Sequence, residues 1–397
     1  MAHYPDIPAA PRALGPALTP VLLAGLSFGL TDPAEARDGL DLAVTYTADA
    51  STTASGGSDA KLRYLDNLEL SLDADLDKLA GMQGTVLHVT VLNNRGLRPN
   101  DAGGTLQGVN NIEVGRAAVR LYEAWGEQTI GPATLRVGLY DVNSEFNMTE
   151  SAGLLLSPTF GISSEFASSG PAGPSTFPSS SLAARLRTAF NQSGGYAQVV
   201  VSNARVQTFG DPGGVDLSFA DGLLVAGEVG TGQRVRVSLG GWTFTQARDA
   251  LVSLAADGSP LREKPAGVYA MAEAKLAEGG KRAVTGFLRG GLARGLTQPF
   301  ARTLQTGLLV TPAIVGRDAS AFSVGLHHAG TSGEFRAAQA AAGEPVWHTE
   351  SALELTYSDQ LLPHLTLQPD LQIIRQSGEA MPTHTAVQTT LRVQITF

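Results

Sequence analysis

The chain has 397 residues, with 28 Lys and Arg against 37 Asp and Glu, a formal net charge of -9 and an isoelectric point near 5.3. That balance excludes the basic stripe of a nucleic-acid binder, and the absence of cysteine excludes a disulfide framework. Mean hydropathy is close to zero (+0.02), so the apolar residues are either spread over alternate positions in one large barrel or gathered into two ordinary domains.

The amino terminus reads as an export signal. Arg12 precedes the apolar run Val21-Leu22-Leu23-Ala24-Gly25-Leu26-Ser27-Phe28-Gly29-Leu30, and Ala34-Glu35-Ala36 supplies the small-x-small pattern of a cleavage site. Residues 1–36 are therefore expected to be removed, leaving 37–397 as the mature domain. The alternative is an unstructured leader. The run is too short to cross a bilayer, and no later stretch reaches the ~18 apolar residues that a transmembrane helix needs. Any crossing must be made by strands.

From Asp41 onward the sequence breaks into short two-faced segments separated by Gly, Pro, Asn and Asp. Leu68, Leu70 and Leu72 lead to a turn rich in aspartate, and a second strand follows over 85–91. Leu135, Val137 and Leu139 alternate with Arg136, Gly138 and Tyr140. Leu182, Ala184 and Leu186 alternate with Arg185 and Arg187. Val235, Val237 and Leu239 alternate with Arg236 and Ser238. At the carboxyl terminus Leu391, Val393, Ile395 and Phe397 share one face, and Arg392, Gln394 and Thr396 the other. About sixteen segments of roughly ten residues each match tilted membrane strands. The fold class expected is all-β: a transmembrane antiparallel barrel in which Leu and Val face lipid and Arg, Glu and Gln face a wet lumen. A water-soluble sandwich accepts the same alternation. The strand number, the export signal and the lack of helical crossovers favour the membrane barrel.

Residues 143–181 break the pattern. They are rich in Ser, Gly and Pro, and a loop of this length is usually functional or disordered. Leu154, Leu155, Leu156, Phe160 and Phe166 need cover, so the segment is expected to fold into the lumen as a constriction. The alternative is a loose extracellular loop.

Several segments resemble the carbohydrate-selective porin family (OprB) of bacterial outer membranes. They are Val109-Asn110-Asn111-Ile112-Glu113, Leu121-Tyr122-Glu123-Ala124-Trp125, Leu135 to Asn147, Ser157-Pro158-Thr159-Phe160-Gly161, Phe177-Pro178 with the strand after it, and Leu367-Gln368-Pro369-Asp370-Leu371-Gln372. The resemblance implies a sixteen-stranded outer-membrane channel for passive diffusion of mono- and small oligosaccharides. It implies no cofactor, and surrounding lipid and the barrel assembly machinery as partners, the latter through the strand ending at Phe397. It leaves monomer and trimer open.

A sugar path needs polar groups to replace water on hydroxyls, and binding weak enough for release. Charge on the lipid face near the midplane costs about 2–4 kcal/mol for Arg or Lys, which points Arg136 with Tyr140, Arg185 with Arg187, and Arg234 with Arg236 inward. Arg120, Glu123, Trp125 and Glu127 cannot all face the lumen on a regular strand, so a register change is expected near Leu121. Asn143, Glu145 and Asn147 sit at the mouth of the long loop. Each of these residues has a plain structural alternative as wall or turn. Neighbouring His327 and His328 point to opposite faces and cannot share a metal. The Glu123/Glu127 pair lacks any nucleophile or cleft for a glycosidase. No nucleophile elbow, phosphate loop or zinc spacing is present, and no enzyme is expected. A general small-solute porin and a periplasmic sugar-binding protein remain the rival readings.

Overall fold

The computed structural model describes residues 38–190, 194–232, 234–378 and 382–397. The expected export signal lies outside the described residues.

Strands β1 (Leu40–Ser55), β2 (Arg63–Asp75), β3 (Thr85–Gly96), β4 (Ala118–Ile130), β5 (Ala133–Tyr140), β6 (Ser181–Ala189), β7 (Tyr196–Asn203), β8 (Leu223–Thr231) and β9 (Val235–Phe244) pair in chain order. β10 (Arg248–Leu254) and β11 (Pro260–Glu263) form a separate hairpin that the sequence pattern does not announce. The wall resumes with β12 (Ala266–Gly279) against β9, then β13 (Arg282–Ala293), β14 (Phe300–Thr311), β15 (Ala321–Thr331), β16 (Trp347–Leu362), β17 (Leu365–Gly378) and β18 (His384–Thr396). β18 pairs with β1, with Arg392 opposite Asp49 and Val393 opposite Ala48, and closes a barrel of sixteen antiparallel strands. Phe397 extends the seam by exchanging backbone hydrogen bonds with Val44 at 2.9 and 3.0 Å. Closure leaves no unpaired edge, the condition for strands to span a membrane.

The wall is turned inside out relative to a water-soluble domain. Val235, Val237 and Leu239 are 54%, 43% and 58% exposed, whereas Asp49, Arg185, Glu350 and Glu354 are buried within the barrel. Apolar outside and polar inside is the pattern lipid demands, and it removes the soluble sandwich. Leu40, which opens β1, and Phe397 lie at one end, where connections such as 131–132, 280–281 and 363–364 are short; the opposite end carries 97–117, 141–180, 204–222 and 245–265.

β4 carries the expected irregularity. Thr90 pairs with Glu123 and Val91 with Leu121, so Tyr122 is an extra residue. This bulge brings Arg120, Glu123, Trp125 and Glu127 to the lumen face, while Val119 stays exposed on the lipid side.

Candidate functional site

The segment 141–180 lies inside the barrel, and the wall holds it by side chains aimed at its backbone. Glu228 on β8 accepts from Asn147 N at 3.1 Å, from Tyr196 Oη at 2.7 Å and from Tyr269 Oη at 2.8 Å. Glu273 on β12 accepts from Ser151 N at 2.7 Å. Glu354 on β16 accepts from the N–H groups of Leu156 and Ser157. Arg289 on β13 donates to the carbonyls of Asn147, Thr159 and Gly161. The loop's apolar residues face the barrel's interior wall. Leu155 and Phe160 pack with Phe287, while Phe146 and Phe166 pack with Trp242, Phe244 and Tyr269. Gly325 makes room for the loop, since a Cβ there would stand 2.5 Å from Phe160 Cζ.

A second loop, 97–117, also enters the lumen. Glu350 accepts from Leu106 N at 2.6 Å and Gln107 N at 2.9 Å. Gln372 donates to Val109 O at 2.8 Å and Gln376 to Gly104 O at 3.0 Å. Asp49, clamped by Arg392 through two bonds of 2.8 Å, accepts from Asn110 Nδ2 at 2.6 Å. The sequence reading did not include these anchors. Their only signal was the Gln368/Asp370/Gln372 alternation, which marks a polar face without saying what it holds.

Where the two loops face each other they leave a cavity of about 260 Å3. Asn100, Asn110, Asn111 and Glu113 line it from one loop, and Asn143, Pro158, Thr176 and Phe177 from the other. Asn111 is fixed because its Oδ1 accepts from Arg392 at 2.7 Å. Asn143 is fixed because its Nδ2 donates to Phe146 O and Gly161 O at 3.1 and 3.2 Å. Among the described residues, Asn111 Nδ2 and Asn143 Oδ1 have no protein partner. One oriented donor and one oriented acceptor are thus left for a solute. Burial pushes the Glu113 carboxyl above its ordinary range, although Asn100 N donates to it at 2.9 Å.

The charged residues singled out from the sequence fall into separate groups. On β4 to β6, Arg185 binds Glu145 at 2.7 and 2.9 Å and Glu127 at 2.6 Å, and is itself almost fully enclosed. Arg136 joins through Glu127 at 2.9 Å. Arg187 lies 3.8 Å from Glu145 and over the Tyr196 ring at 4.4 Å. Tyr140 donates to Glu145. This network ties the start of the long loop to the wall. Trp125 is sandwiched: His88 stacks on one side at 4.7 Å, and the Arg136 guanidinium lies 3.7 Å from the ring centre on the other. Both ring faces are occupied, so a sugar ring finds no platform there.

Arg120 is elsewhere, buried against Asp211 at 2.7 Å and Asn94 at 3.2 Å. Glu123 accepts from Asp141 N at 2.9 Å and Trp125 Nε1 at 3.2 Å. Arg236 pairs with Glu150 at 2.8 Å, and both line a second space with Arg234, Glu273 and Lys275. Asn147 is fully buried, accepting from Ser163 N at 2.8 Å. His327 points inward, 3.2 Å from Gln107, and His328 outward, 2.7 Å from Ser351.

A closed sixteen-stranded barrel, apolar outside and narrowed by two infolded loops, defines a porin, a passive channel of the bacterial outer membrane. The family model described as "Carbohydrate-selective porin, OprB family" matches residues 59–397, and the chain belongs to that family. No curated relative matches it. Among solved structures, Pseudomonas putida OprB at high pH superposes with a TM-score of 0.78 at 19% identity, covering 91% of this chain and 94% of the other. The outer membrane channel DcaP of Acinetobacter baumannii gives 0.56 at 10% identity, covering 91% and 98%. An anion-selective porin from Comamonas acidovorans gives 0.52 at 14%, covering 90% and 99%. At these identities the likenesses establish the fold.

Proposed function

We propose that mono- and small oligosaccharides diffuse passively through this barrel and are selected at the gap between the two loops. The observation that carries this is the amide pair, Asn111 Nδ2 and Asn143 Oδ1, held rigid with one donor and one acceptor free. A hydroxyl both donates and accepts, so it replaces its water at such a pair at little cost. At about 260 Å3 the gap lies just under the ~300 Å3 lower end of ordinary ligand clefts, which suits one small ring at a time. A net hydrogen bond is worth only ~0.5–1.5 kcal/mol, so each solute leaves quickly. Phe177 and Pro158 supply apolar surface for the ring's hydrophobic face.

On this reading Glu127, Arg136, Glu145 and Arg187 line the path beyond the gap. Arg185 and Asn147 are positioning residues for the loop. Residues 1–36 are a cleaved export signal, and the strand ending at Phe397 is the segment read by the assembly machinery. A general small-solute porin is the second reading, favoured by the half-exposed Arg187 and Arg236 near the lumen. Planar-bilayer recording with a glucose trisaccharide separates the two. The sugar-selective reading expects concentration-dependent interruptions of ion current that weaken several-fold in Asn111→Ala/Asn143→Ala. Current that never saturates with sugar, in wild type and variant alike, supports the general porin.

A further inference from the structure

The lipid-facing wall carries a polar patch that the transport path does not use. Arg375 on β17, Ser351 on β16, His328 on β15 and Leu304 on β14 form one cross-strand row. Two residues nearer the loop end of β14, Arg302 begins the next row and lies over Gly330, where a side chain would collide with its stem. Alternation turns all of these outward: Thr303, Gln305, His327, Glu350 and Gln376 between them are buried on the lumen side. Arg302 and Arg375 are exposed, and among the described residues neither has an ion-pair partner. The outward positions of β14 to β17 hold a single carboxylate, Asp359, at the far end of β16 and already bound by Arg317 and Tyr357. Directly toward the midplane, Leu326, Leu353 and Ile373 line an open groove of about 360 Å3 whose rim is His328, Ser351 and Arg375.

Unpaired arginines facing hydrocarbon are costly at the midplane and cost about 0–1 kcal/mol near an interface. These two stand near the loop end of their strands, away from the end where Leu40 and Phe397 lie, which is where headgroups of the outer leaflet would meet the wall. We propose that this patch binds one phosphorylated, multi-acyl lipid of that leaflet, with an acyl chain in the Leu326/Leu353/Ile373 groove and anionic groups on Arg302 and Arg375. The two arginines are three strand spacings apart, on the order of 14 Å, so they address separate phosphates of one headgroup. His328 Nδ1 is taken by Ser351 at 2.7 Å, which leaves Nε2 for the headgroup. Charge-assisted bonds from arginine to phosphate supply the affinity. The inference rests on the outer-membrane placement and is independent of sugar selectivity.

Native mass spectrometry of the delipidated barrel, titrated with a bisphosphorylated hexa-acyl glycolipid and its dephosphorylated counterpart, tests this. Wild type is expected to retain one phosphorylated lipid, and Arg302→Gln/Arg375→Gln to bind it at least tenfold more weakly. Arg262→Gln/Lys264→Gln, in and just after β11 and off the barrel wall, controls for net charge and is expected to bind like wild type. Heat-modifiable gel mobility verifies that each barrel is folded. Millimolar inorganic phosphate is expected not to displace the lipid. Equal retention by the Arg302/Arg375 variant, equal binding of the dephosphorylated lipid, the same loss in the Arg262/Lys264 control, or displacement by phosphate alone would each overturn the proposal.

Discussion

Replacing Arg289 with leucine is expected to loosen the long loop without opening the barrel. The side chain rises from β13 into the lumen, is 1% exposed, and donates to three loop carbonyls. Bonds with a charged partner contribute ~1.5–3 kcal/mol each, so the three together hold the loop by about 4.5–9 kcal/mol at most. Part of that returns when the freed carbonyls meet lumen water, and the anchors at Glu228, Glu273 and Glu354 remain. A net loss of even ~2.8 kcal/mol shifts the closed-to-open ratio of the loop a hundredfold. Leucine keeps part of the apolar stem while removing the donors. Single-channel conductance should rise, and a trisaccharide should gain on glucose in liposome swelling. A folded Arg289→Leu barrel with unchanged conductance and unchanged size discrimination would refute the claim that this loop sets the pore width.

Asn111→Asp keeps the oxygen that Arg392 holds but removes the free donor; reversal potentials should move toward cation preference and sugar block should weaken ~2- to 12-fold, the span of one net hydrogen bond. Gly325→Val puts a side chain against Phe160 and Leu155; overpacking of ~1–3 kcal/mol should displace the loop tip and broaden the conductance distribution while the barrel's thermal stability holds. Burial pushes the Asp141 carboxyl up to about 6, despite the bond donated by Asn143 N. A raised pKa means tighter proton binding in the folded loop, so this group favours the folded loop below pH ~4 and loses that contribution as pH rises through about 6. Asp141→Asn should therefore flatten the fall in denaturant stability between those pH values, as read by urea titration of the micelle-bound barrel.

The barrel was legible because every wall strand carries two environments at once, and the arginines fix which face is wet. The bulge at Tyr122 was legible for the same reason: Arg120 and Glu123 cannot both face the lumen without one extra residue. The long loop announced itself by broken periodicity and by apolar residues needing cover. The loop 97–117 did not. Its Asn and Gly content looks like an ordinary turn, and its anchors lie far away in the chain, as in Leu106 to Glu350. Long-range acceptors leave no local mark. The short β10–β11 hairpin has too few alternations to stand out. Trp125 shows a limit of another kind. Its position on the lumen face was readable from register, but the occupation of both ring faces depends on His88 and Arg136 arriving from opposite neighbours.

The most direct test is swelling of liposomes carrying the detergent-extracted barrel in isosmotic glucose, a disaccharide and an amino acid of size similar to glucose. A carbohydrate-selective channel predicts fast swelling in both sugars and slow swelling in the amino acid, with the sugar advantage reduced in Asn111→Ala/Asn143→Ala. Equal rates for glucose and the amino acid would contradict selection at the two-loop gap and leave only an unselective pore.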